Sequence, residues 1–222
     1  NVRIMSVRCV PDGDERDKDI ANAIRYAVDN GASIINMSFG KKYSWDKKAV
    51  DEAVKYAEKK GVLLIHATGN DGINIDETAH YPCKKFEGSK KEASNFVDVA
   101  ALNWEKNEKI AAPFSNYGKR TADLFSPGVD IYSTAPEGKY KDASGTSMAA
   151  PVVAGVSAVL KSYFPTLTPK QIKKINPTIH VIALSMSGNI VDINRMIDVG
   201  ISGYVLKNVG NKELVEAIYK VA

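Results

Sequence analysis

The sequence has few cysteines, no long apolar run and no surplus of one charge, and each scarcity excludes something. Its two cysteines, Cys9 and Cys83, lie far apart. That excludes a disulfide framework and a zinc site built on cysteine, and says little about redox compartment. No apolar run approaches the ~20 residues of a membrane-spanning helix, so no membrane partner is expected. Against 30 Lys and Arg stand 26 Asp and Glu, a balance of +4 spread along the chain. The one dense basic stretch, Lys84, Lys85, Lys90 and Lys91, has Glu87 and Glu92 within it and reads as a solvated loop. A nucleic-acid partner is therefore not expected, and neither a metal nor a cofactor is called for. The chain opens on Asn1 without an initiator Met and runs straight into an apolar stretch. The start reads as cut, so a missing signal peptide is uninformative.

What is present is globular: 222 residues, 44% hydrophobic and 25% charged, enough for one large α/β domain. Short apolar runs alternate with helical patterns over the first 175 residues, the signature of βαβ units and a parallel sheet. Strands are expected at Val2–Val7, Ser33–Met37, Val62–Ile65, Phe96–Ala101, Ile110–Phe114, Ala122–Phe125 and Ile131–Ser133. Helices are expected at Asp17–Asn30, from a Ser44 N-cap to Gly61, from Ser144–Ser147 to about Tyr163, and after Thr168-Pro169. Residues 71–95 read as a polar loop. Beyond Pro177 a further βαβα unit follows: His180–Met186, Asn189–Val199, Gly203–Leu206 and Asn211–Val221.

The sharpest local signal is Ser144-Gly145-Thr146-Ser147-Met148-Ala149-Ala150-Pro151. A serine at the start of an apolar helix sits in the positive field of the helix N-terminus, near unpaired N–H groups. That suits a nucleophile with an oxyanion developing beside it. A capped core helix explains the same pattern, and Pro151 lies early enough that its missing N–H costs little.

This stretch resembles the nucleophile motif of the subtilisin-like serine peptidases, the subtilases. Further segments agree in the family's order: Ile34-Ile35-Asn36-Met37-Ser38-Phe39-Gly40, Ala67-Thr68-Gly69-Asn70, Phe114-Ser115-Asn116-Tyr117-Gly118 and Ser126-Pro127-Gly128-Val129. The resemblance covers about 1–175. It implies that Ser147 is the nucleophile and that the Asn70 side chain donates to the oxyanion. The backbone of Ser38, Phe39 and Gly40 would pair with an extended polypeptide substrate. The family's triad runs Asp, His, Ser, with the Asp in an Asp-Ser/Thr-Gly motif and the His in a His-Gly-Thr-His motif. Neither motif occurs in the 222 residues. An upstream segment carrying both is the implied partner, and without a base Ser147 is a poor nucleophile. His66, His80 and His180 read as structural or surface residues. His66 precedes Asn70 by too long a stretch of strand to serve as the base.

The tail resembles the C-terminal part of a response-regulator receiver domain, on Val181–Met186, Met196–Asn208 and Glu213–Ile218. That resemblance implies a phosphoryl-site remnant of Ser185 and Lys207, with Tyr204 as an aromatic switch. The family's phospho-accepting Asp and acidic Mg²⁺-binding pair belong to a first half that is not matched, so a fragment used only for packing is the favoured reading. The expected architecture is thus three-layer α/β with a mainly parallel sheet. It combines an incomplete subtilisin-like part (1–175) with a receiver-like, flavodoxin-like βαβα piece (176–222). The expected class is serine endopeptidase by resemblance, inactive as an isolated chain. A signalling receiver and an inactive structural chimera are the rivals. One resemblance points to secretion or the cell envelope and the other to the cytoplasm, so compartment stays open.

Overall fold

The computed structural model describes residues 2–103 and 111–173, together with the backbone of 182–185 and 203–206. The chain divides into two units, Asn1–Lys174 and Ile175–Ala222. In the first, four parallel strands form a sheet in the order β1 (Ile34–Met37), β2 (Leu63–Ala67), β3 (Phe96–Leu102), β4 (Leu124–Pro127).

The reason for this sheet is legible in β2. Leu63, Leu64 and Ile65 are fully buried, as a central parallel strand covered on both faces requires. Each contributes roughly 1.5–3 kcal/mol. On one face lie α1 (Asp17–Asp29) and α2 (Lys47–Lys59), whose Ile20, Ile24, Val28, Val50 and Val54 pack in one cluster with Met37, Leu64 and Phe96. Because strand side chains alternate, His66 and Asp98 share the face of Leu64 and Phe96. The other face receives α3 (Thr146–Tyr163), which contacts all four strands. Beyond β4, β5 (Ile131–Ala135) and β6 (Lys139–Ala143) form an antiparallel hairpin, and α4 (Pro169–Lys173) follows α3.

Several expectations are corrected. Val2–Val7 forms no strand, and Ile4 is 94% exposed. Its apolar residues favour a strand, but no neighbour among the described residues supplies a ladder. Residues 112–114 are not a strand either; only an isolated bridge, Leu102 to Ala111, remains there, and Ile110 lies outside the described residues. Ile131–Ser133 is a strand, but in the separate hairpin. Its partner β6 carries no strand signal in the sequence, because Lys139-Tyr140-Lys141-Asp142 is exposed and has no apolar run. The N-cap of α2 is Asp46, whose Oδ1 accepts from the Ala49 N–H at 3.1 Å, and not Ser44.

Lys84 is not solvated. Its side chain is 5% exposed, and its Nζ meets Asp123 Oδ2 at 2.9 Å and the Thr121 carbonyl at 2.7 Å. Lys173 closes the group, with Nζ 3.0 Å from Asp123 Oδ1 and 2.6 Å from the Phe96 carbonyl. Counting lysines could not separate the one that turns inward from those that stay in water.

In the second unit β7 (Ile182–Ser185) and β8 (Gly203–Leu206) pair in parallel, with Ser185 opposite Leu206. Tyr204 lies in β8. Lys207, His180 and the helices expected at 189–199 and 211–221 lie outside the described residues. Among the described residues no helix is long and apolar enough to cross a membrane.

Candidate active site

The site is built where three chain segments converge at the C-terminal ends of β1 and β2 and the N-terminus of α3. Gly145 precedes the helix at φ 152°, and its N–H donates to the Gly128 carbonyl at 2.8 Å. A Cβ on Gly128 would stand 2.7 Å from Ala101 Cβ and 2.9 Å from the Gly145 carbonyl. The turn therefore docks because Gly128 has no side chain to clash and Gly145 takes a φ that other residues rarely adopt.

Thr146 and Asn70 lock that turn to the end of β2. Asn70 Oδ1 accepts from the Thr146 N–H at 2.8 Å and from its hydroxyl at 3.0 Å, and the Thr146 hydroxyl accepts from the Gly69 N–H at 3.1 Å. With its carbonyl oxygen thus engaged, Asn70 has its amide Nδ2 to offer outward as a donor at the helix N-terminus. Asn116 braces the loop from behind. Its Nδ2 donates to the Thr68 carbonyl at 2.8 Å, while its Oδ1 accepts from the Asp71 and Ile73 N–H groups at 2.9 and 3.2 Å. The motif Phe114–Gly118 was visible in the sequence, but this bracing role was not.

Ser147 meets Ser38 in a reciprocal pair. Ser147 Oγ donates to the Ser38 carbonyl at 3.2 Å, and Ser38 Oγ donates to the Ser147 carbonyl at 2.9 Å. Pro151 explains why the second bond exists. The Ser147 carbonyl would ordinarily accept the N–H of the residue four positions on, and Pro151 has none. The expectation that this proline costs little because it lies early is given a mechanism: it frees a carbonyl, and Ser38 uses it.

Ser38, Phe39 and Gly40 continue β1 past the sheet. Lys41 then pairs with Tyr81, exchanging two backbone hydrogen bonds at 2.9 Å. His80 packs beneath: a Cβ on Gly40 would lie 2.7 Å from its Cε1, and one on Gly69 3.1 Å. Burial, reinforced by the neighbouring His66, lowers the His80 pKa to about 4. Above the surface, Lys42 pairs with Asp71 at 2.9 Å, and that hydrogen bond holds the Asp71 carboxyl below its ordinary range.

His66 lies inside the sheet, fully buried. Its Nδ1 is 2.9 Å from Asp98 Oδ1 and its Nε2 is 3.0 Å from the Phe39 carbonyl. The ring is thus occupied by a carboxylate and a backbone group, and the hydroxyl of Ser147 goes to Ser38. Among the described residues no imidazole or carboxylate bonds that hydroxyl, and no group of three or more His, Cys, Asp or Glu is placed to hold a metal. Cys9 and Cys83 are both free.

A parallel sheet, a serine at the N-terminus of the helix packed on it, and a side-chain amide held beside that helix N-terminus define the class of serine peptidases of the subtilisin type. The match to the Subtilase family model extends over residues 1–179, and the chain belongs to that family. It is 39% identical over 163 residues to a thermophilic serine proteinase of Bacillus sp. strain AK1, covering 73% of this chain and 36% of that protein. To subtilisin DY of Bacillus licheniformis it is 35% identical, covering 69% and 52%. Among solved structures, a cold-adapted subtilisin-like serine proteinase aligns with a TM-score of 0.60 at 31% identity, covering 72% of this chain and 54% of that one. The chain therefore spans about a third to a half of the curated relatives it matches. The family match ends at 179, four positions past the expected boundary, and no comparison supports a receiver component.

Proposed function

We propose that this chain carries the nucleophile half of a serine endopeptidase site. Ser147 would attack the scissile carbonyl, the Asn70 amide would donate to the resulting oxyanion, and Ser38, Phe39 and Gly40 would align an extended polypeptide. The observation that carries the reading is the Thr146–Asn70 lock. It fixes the acceptor end of Asn70 at the first turn of α3, so the donor end is held without further reorganisation, which is what oxyanion stabilisation asks of a donor.

The same reading makes the isolated 222-residue polypeptide inert. Attack needs a base to take the hydroxyl proton, and the Ser147 hydroxyl donates instead to a peptide carbonyl, which cannot accept the proton outright. A polypeptide segment bearing an Asp and a His is the partner this site calls for. Treating the isolated chain with a fluorophosphonate probe and reading its intact mass tests the point. No adduct is expected, whereas a stoichiometric adduct lost in Ser147→Ala would show that a base is already at hand.

A second reading concerns the tail alone. The parallel register of β7 and β8 sets Ser185 opposite Leu206, with Lys207 next in sequence. That supports a receiver-like phosphoryl-site remnant for residues 176–222. Phosphoryl binding there would need a donor and a cation close together, and titration with inorganic phosphate should show neither shift nor stabilisation if the segment serves packing only.

A further inference from the structure

Asp98 and His66 form a buried carboxylate–imidazole pair that the proposed chemistry does not use. The pair has the form of a catalytic dyad, yet its outer nitrogen points to the wrong partner. The Phe39 carbonyl has only lone pairs to offer, so Nε2 must carry the proton in the 3.0 Å contact between them. A second proton, shared between Nδ1 and Asp98 Oδ1 2.9 Å away, completes a hydrogen bond that fixes the ring plane much as a carboxylate orients any working imidazole. The ring is also boxed in, its centroid 5.1 Å from that of His80 and 5.5 Å from that of Phe96.

Asp98 has little else to hold. Its Oδ2 is buried without a hydrogen-bond partner among the described residues, and Lys84 Nζ stands 3.7 Å away. A buried carboxylate oxygen without a hydrogen bond is costly even beside a lysine, and the short bond that Asp98 does make goes to His66. The charges facing this pair are Lys84 from the loop before β3 and, beyond it, Asp123; His80 faces it as a neutral ring over most of the pH range.

Two successive carbonyls in the substrate-binding segment therefore point to opposite partners. The Phe39 carbonyl is held by His66, and the Ser38 carbonyl faces the Ser147 hydroxyl. We propose that His66 is a positioning residue for the substrate-binding strand. Its Nε2–H holds the Phe39 peptide plane, Asp98 fixes the ring that does so, and the Ser38 carbonyl is thereby kept turned toward Ser147 and the incoming peptide. This rests on the strand-addition reading of Ser38–Gly40 given above. It adds a role to a residue with no direct access to substrate.

The test uses the full chain with His66→Phe, which fills the space without a donor, and His66→Gln, which restores an N–H. Two readouts are taken: the affinity for a blocked tetra-alanine amide by NMR titration, and amide exchange at Lys41, bonded to the Tyr81 carbonyl, against Leu64, bonded to that of Asn95. In His66→Phe the peptide affinity should fall about tenfold. Lys41 protection should fall with Leu64 protection retained, and His66→Gln should recover most of both. Equal loss at Lys41 and Leu64, or affinity and Lys41 protection unchanged in His66→Phe, would overturn the proposal and leave His66 a core residue. If the parent chain binds no peptide, strand addition is refuted, and the exchange comparison still decides whether His66 positions this segment.

Discussion

The Ser147 hydroxyl donates to the Ser38 carbonyl at 3.2 Å, and the Ser38 hydroxyl donates to the Ser147 carbonyl at 2.9 Å. Two residues 109 positions apart thus close a ring of hydrogen bonds between the end of β1 and the first turn of α3. The Ser147 carbonyl is free to take part because Pro151 supplies no N–H to it.

The first prediction follows as a double-mutant cycle. Ser38→Ala should cost about 1–2 kcal/mol, because it removes the donor to a carbonyl that Pro151 leaves without its helical N–H. In a Pro151→Ala background the helix provides an N–H, and the cost of Ser38→Ala should fall to less than half. Urea unfolding of the four proteins measures the coupling. Additive costs would mean that the helix and Ser38 do not share that carbonyl.

Thr146→Val should be more damaging than Thr146→Ser. The valine keeps the volume but removes the hydroxyl that joins the Gly69 N–H to Asn70 Oδ1. A loss of about 1–3 kcal/mol is expected for the valine and well under that for the serine. Denaturant midpoints decide, and equal midpoints would remove the lock from the account.

The sequence made some of this site legible and hid the rest for physical reasons. Asn70 and Ser147 sit in motifs of several consecutive residues, so local chemistry announced them. The pairing of His66 with Asp98 joins two single residues from different strands, and nothing local marks either one. Strands β2 and β3 were readable because both of their faces are buried and their apolar residues run on with only Asp98 breaking the second. Val2–Val7 has a strand's composition but no neighbour among the described residues, and sequence pattern cannot report a missing partner.

Lys84 and Lys90 show the same limit and give a third prediction. Lys84→Met leaves Asp123 with Lys173 as its remaining cation and Asp98 with none, at a cost of about 3–5 kcal/mol. Lys90→Met should stay within about 0.5 kcal/mol. Comparable costs at the two positions in thermal unfolding would contradict the buried network.

His80 supplies the pH dependence. Burial lowers its pKa from 6.5 to about 4 in the folded chain. Between those values the unfolded chain binds a proton that the folded one refuses, so stability rises with pH across the window. The contribution is fully present above pH 6.5 and is lost as pH falls toward 4, about 3 kcal/mol in all. His80→Gln should flatten this part of the profile, as followed by urea unfolding from pH 4 to 7. An unchanged slope would show that His80 is not the group responsible.

The most direct test of the whole account is to complete the site. Asn1 would be joined to the portion of the Bacillus AK1 proteinase that precedes its matched region, where the family resemblance locates the Asp and His. Hydrolysis of a chromogenic peptide anilide would then be followed. The account predicts turnover absent from the unextended chain, abolished by Ser147→Ala and reduced by Asn70→Ala; in subtilisin itself, loss of the equivalent donor costs about 10²–10³. A folded fusion with no turnover, or one whose turnover survives Ser147→Ala, would contradict it.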